Sequence, residues 1–83
     1  MSEPDGVVLR LSPDEALVLF EWLHRMEDQE LYASVIEDGA EEYVLWRVSG
    51  ALESILVEPF EPDYHRLVSE ARDRIRSRHG GEA

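Results

Sequence analysis

Three histidines, His24, His65 and His79, and nineteen carboxylates are the groups in this 83-residue chain best suited to acid–base or metal chemistry. The histidines fall on segments read below as the first helix, the third helix and the tail. None has H-E-x-x-H or another chelating spacing, so no metal site is expected. Glu21 and His24 stand at i, i+3 and could be called an acid–base pair. Helix neighbours of that spacing are commonplace, and neither a nucleophile nor an oxyanion cradle accompanies them. Cysteine is absent, which removes thiolate zinc sites, disulfides and cysteine nucleophiles. Gly39, Gly50 and Gly80-Gly81 fit neither G-x-G-x-x-G nor G-x-x-x-x-G-K, so no nucleotide cofactor is implied. The expectation is a protein with no enzymatic activity, no catalytic residues, no cofactor and no metal.

The sharpest electrostatic feature is the stretch from Glu27 to Glu42. It holds Glu27, Asp28, Glu30, Glu37, Asp38, Glu41 and Glu42 and no positive residue. A calcium loop needs oxygen ligands at alternating positions, a central glycine and a terminal glutamate, and Asp28-Gln29-Glu30-Leu31-Tyr32-Ala33 breaks that pattern. Two readings remain. The stretch is a solvated acidic face, as charge runs usually are, or it is a docking patch for a basic protein partner.

Composition narrows the partners. The formal charge of -11 repels phosphate backbones and anionic lipid headgroups, so neither nucleic acid nor a membrane is expected. The charge is uneven, since five of the eight arginines lie after residue 63, four of them between Arg72 and Arg78. The start, Met1-Ser2-Glu3-Pro4-Asp5-Gly6, lacks the cationic and apolar regions of a signal peptide, and no apolar run approaches a membrane span. A cytoplasmic location is expected. The length suits a single domain over 1–83, with residues 1–6 and 79–83 frayed.

The elements that position these groups are read from periodicity. Val7, Leu9 and Leu11 alternate with Val8, Arg10 and Ser12 and predict a short extended segment, which must pair with another segment of the chain, pair with a symmetry mate or lie against the helices. Ser12-Pro13-Asp14-Glu15 predicts a capped helix start, and the first helix runs to about Asp28. Its Ala16, Val18, Leu19, Phe20, Trp22, Leu23 and Met26 spread over roughly 200°, so it is covered on more than one side. Residues 29–37 are ambiguous between a helical turn and a loop, with a turn-containing connection favoured.

Asp38 with Glu41 predicts a second cap, opening a helix over 38–57 that Pro59 stops. Ala40, Val44, Val48, Ala51 and Ile55 form its expected core face, widened by Leu45, Leu52 and Leu56, and this helix is expected to be the central element. Tyr43, Trp46 and Gly50 form an i, i+3, i+7 stripe on its other side. Pro62-Asp63 predicts a third helix over 62–78, with Tyr64, Leu67, Val68, Ala71 and Ile75 on one stripe and Glu70 pairing with Arg74. The fold class is mainly α, a compact three-helix domain with a short N-terminal extended or β segment.

The runs Leu11-Ser12-Pro13-Asp14-Glu15-Ala16-Leu17-Val18-Leu19-Phe20-Glu21-Trp22-Leu23, Val44-Leu45-Trp46 and Leu56-Val57-Glu58-Pro59-Phe60-Glu61-Pro62-Asp63-Tyr64 resemble small acidic bacterial helical proteins. That resemblance implies a compact helical domain and carries no established activity or functional residue.

Two functional expectations follow. In the first, Glu27, Asp28, Glu30, Glu37, Asp38, Glu41 and Glu42 steer a basic partner, and Tyr43 and Trp46 anchor it, as in an immunity- or antitoxin-like neutraliser or an adapter. In the second, Trp22, Tyr43 and Trp46 are the interface of a homodimeric structural or regulatory subunit.

Overall fold

A computed structural model describes residues 6–79 of the chain. The described residues are mainly helical: α1 Pro13–Asp28, a single turn α2 Tyr32–Val35, α3 Gly39–Ile55 and α4 Tyr64–Arg78, with a 3-10 turn at Glu58–Phe60. The expected fraying of 1–6 and 79–83 falls, apart from Gly6 and His79, outside the described residues. Gly6–Leu11 form no regular secondary structure, and Val7, Val8 and Leu9 are exposed, so the expected extended segment has no pairing partner among the described residues.

The start of α1 follows from its sequence. The Ser12 N–H donates to Glu15 Oε1 at 2.8 Å, and the Glu15 N–H donates to Ser12 Oγ at 3.1 Å, a reciprocal capping box ahead of Pro13. Its end carries a feature that the sequence conceals. The Glu30 N–H donates to the Glu27 carbonyl and the Leu31 N–H to the Met26 carbonyl, which closes a Schellman motif. Glu30 occupies the left-handed position with φ 56°, where glycine is the usual residue.

The chain then makes the one-turn α2 within the stretch expected to be a connection. Tyr32 is the reason: its ring is buried and its hydroxyl donates to the Leu23 carbonyl at 3.2 Å, pinning the turn to α1. Asp38 caps α3 as expected, accepting from the Ala40 N–H at 3.0 Å. Glu41 reaches one residue further back than a capping box requires, accepting from the Glu37 N–H at 2.8 Å.

α1 is the central element, packing against both α3 and α4, in place of the second helix. Leu17, Phe20, Leu56, Val68 and Ala71 form the core, with Ala16, Val18, Leu52, Tyr64 and Leu67 against it. This matches the broad apolar arc read on α1 and the narrow stripe on α4. It corrects the reading of α3, which contributes no fully buried residue. α3 turns Leu45, Ser49 and Leu52 inward, with Leu56 just beyond its end. The expected centre of its core face points outward: Val44 is 55% and Ile55 73% exposed. The physical reason is that the leucines recur at near-heptad spacing and make a narrow seam against α1, so the β-branched stripe beside them has nothing to cover it.

Two further local expectations change. α4 begins at Tyr64 and not at Pro62, with Asp63 at the N-cap position and its carboxylate paired with Arg66. Glu70 also pairs with Arg66, at 2.8 Å, and Arg74 instead makes a two-pronged bond to Asp14 at 2.9 Å, tying α4 to the first turn of α1.

Candidate functional site

Burial pushes the Tyr32 phenol above its ordinary pKa, and the carboxylates of Glu27 and Glu42, at the two ends of the acidic stretch, push in the same direction. Glu27, Asp28, Glu30, Glu37, Asp38 and Glu41 are exposed, and Glu42 is half-buried. Two of these groups also serve the fold: Asp38 caps α3 and Glu41 holds the backbone of Glu37. The α3 dipole favours Asp38, Glu41 and Glu42, whereas Glu27, Asp28 and Glu30 crowd the negative end of α1.

Beside this acidic end lies an open groove of about 440 Å³ lined by Val35, Ile36, Ala40, Glu41, Val44 and Leu45. Its walls are aliphatic and its one charged group is Glu41. The sequence placed Val44 and Ala40 in the core, and the groove exists because α3 turns them outward.

Tyr43 and Trp46 are 59% and 52% exposed. Trp46 stands about 160° round the helix from Val44, so the structure does not gather it with the groove. Trp22 is 44% exposed on α1. Among the described residues the aromatic pairs are Phe20 with His24 and Tyr64 with His65, and neither includes Trp22, Tyr43 or Trp46.

Sequence reasoning did not assemble a second cleft, of about 530 Å³, between α1, the 3-10 turn and α4. Glu21, His24 and Arg25 enter it from α1, Phe60 from the turn, and Tyr64 and His65 from α4. The Tyr64 hydroxyl donates to Glu21 Oε1 at 2.7 Å, while Arg25 lies 3.5 Å from the other oxygen of Glu21. Burial, then this carboxylate, raises the Tyr64 pKa well above that of a free phenol. The pairing locks Glu21 to α4, which is a structural use of both groups. The spacing of Glu21 and Tyr64, 43 residues apart, leaves no local signal to read. Among the described residues no His, Asp and Glu groups converge as metal ligands.

No described helix is long and apolar enough to cross a membrane. Compared with protein families, curated proteins and solved structures, the chain matches none.

Proposed function

We propose that this protein is a non-enzymatic binding module that receives a basic segment of a protein partner at its acidic end, as a neutraliser of the immunity or antitoxin kind or as an adapter. The observation that carries this reading is the groove of Val35, Ile36, Ala40, Val44 and Leu45 opening beside Glu37, Asp38 and Glu41. An apolar seat rimmed by carboxylates is complementary to an amphipathic segment with a basic edge. The aliphatic walls supply lasting affinity by desolvation, and the carboxylates supply orientation and rate of encounter.

The test is affinity capture of the tagged chain from its native host at near-physiological salt, beside Val44→Asp. Val44 is exposed, so the substitution fills the seat with charge without emptying the core. The reading expects one stoichiometric basic protein, lost with Val44→Asp and by washing at high salt. Capture that survives both would remove the groove and the charge from the account. If the partner is found, rising salt slows association much more than dissociation.

A further inference from the structure

On its outward side, α3 inverts the pattern of an ordinary surface helix. In projection at 100° per residue, the arc facing away from α1 carries Ala40, Tyr43, Val44, Trp46, Arg47, Val48, Gly50, Ala51, Ser54 and Ile55. Of the three carboxylates of the helix, Glu41 and Glu53 lie toward the borders of the inward half and Glu42 lies within it. In a chain with nineteen acidic residues, this arc holds none. An arc of this composition suits an interior, yet the helix packs closely against α1 alone among the described elements.

Gly50 adds a second observation. It sits mid-helix, where glycine is less favourable than alanine, and a Cβ built there would meet nothing within 4 Å. Nothing in the single chain accounts for a glycine at this point. With Ala51 and Ser54 it makes the low stretch of the arc, the kind of surface across which another helix backbone can approach closely.

We propose that a second copy of this chain covers the outer arc of α3, with the two α3 helices crossing at Gly50–Ala51. Area and charge select this occupant. The exposed parts of the apolar side chains on the arc amount to roughly 500 Å², near the apolar share of the ~800 Å² each partner gives a standard interface. Charge acts by exclusion: two chains of -11 repel each other over most of their surfaces, and this arc lets them meet without opposing carboxylates. A basic partner would find an anion only at its groove end, where Glu41 borders it. Arg47 is the single charge there, and arginine is enriched in interfaces. The crossing lies about 10 Å along α3 from the groove at residues 40–45, but the arc takes in Ala40 and Val44 of that groove, so the copy and a basic partner compete for that end of the helix.

The test uses the full chain and Gly50→Ala, with sedimentation equilibrium from 1 to 500 μM and thermal melts at the lowest concentration. The wild-type chain is expected to move from its 9.6 kDa mass to twice that mass within this range. Gly50→Ala adds a methyl group to open space in the single chain, so its dilute melting midpoint should rise by about 4 to 8 °C. Its dimer dissociation constant should nevertheless rise at least tenfold, because the added methyl groups hold the two helices apart. A wild-type chain that stays at 9.6 kDa throughout overturns the proposal, as does a Gly50→Ala chain that dimerises as tightly as wild type.

Discussion

Replacing Glu30 by glycine should make the protein more stable, although it removes a side chain and introduces the most flexible residue. Glu30 occupies the left-handed position that closes the Schellman motif at the end of α1, with φ 56°. For a residue with a Cβ that conformation costs about 1 to 2 kcal/mol. Glycine removes the cost but raises the entropy of the unfolded chain, which takes back about 0.5 to 1 kcal/mol. The substitution also deletes a carboxylate from the negative end of the α1 dipole, worth about 0.3 to 1 kcal/mol at an exposed site. The net gain is about 1 kcal/mol, or a rise of about 4 to 8 °C in melting midpoint for a domain of this size. Glu30→Ala separates the contributions, since it removes the charge and keeps the Cβ. Urea unfolding of the three chains at low micromolar concentration measures both. The reasoning fails if glycine and alanine stabilise equally, or if glycine lowers the midpoint.

The pairings that join α4 to α1 give two pH-dependent predictions. Tyr64→Phe should cost about 1 to 2 kcal/mol at neutral pH, because it deletes the phenol's bond to Glu21. The folded-state pKa of Tyr64 is raised above its ordinary value of 10, so its contribution is intact below pH 10 and is lost as pH climbs beyond that. Alkaline unfolding should accordingly be shallower in Tyr64→Phe than in wild type, with Tyr32 retaining part of the slope. Asp14 behaves in the opposite sense. Its bond to the Arg74 guanidinium holds its carboxyl below 3.8, so its contribution is present above that pH and is lost as pH falls through the lower folded value. Asp14→Asn should flatten the acid limb of a pH-unfolding curve below about pH 4 while leaving the alkaline limb unchanged.

The local signals in this sequence were legible where chemistry and periodicity agreed. Ser12-Pro13-Asp14-Glu15 opens α1 as its residues require, Asp38 caps α3, and Val68 and Ala71 are buried on the stripe read for α4. The orientation of α3 was not legible. Periodicity locates apolar faces, and this helix has more than one, so Leu45 and Leu52 against Val44, Val48 and Ile55 gave no basis for choosing the packed side. The packing of α1 against two helices decides it. The Glu30 turn was hidden because the residue that usually marks it, glycine, is missing. α2 was ambiguous because its cause is tertiary, a buried Tyr32 bonded to Leu23. The acidic stretch was visible as composition, whereas the groove beside it appears only once Ala40 and Val44 turn outward. Glu21 and Tyr64 meet across two helices, and the cleft they frame has no signature in either segment.

The absence of cysteine offers a direct measurement of the claim on which both binding surfaces rest, that α3 turns its valine–isoleucine stripe away from the core. Ile55→Cys and Leu56→Cys place single thiols on neighbouring residues, one 73% exposed and the other 9%. Reaction with a thiol reagent at low micromolar protein, where association is weakest, reports which one faces solvent. The account predicts that the thiol at position 55 reacts at close to the rate of an unfolded control and the thiol at position 56 at least about tenfold more slowly. A protected thiol at 55 with a reactive one at 56 would mean that α3 is rotated, and neither the groove nor the outer arc would exist as described.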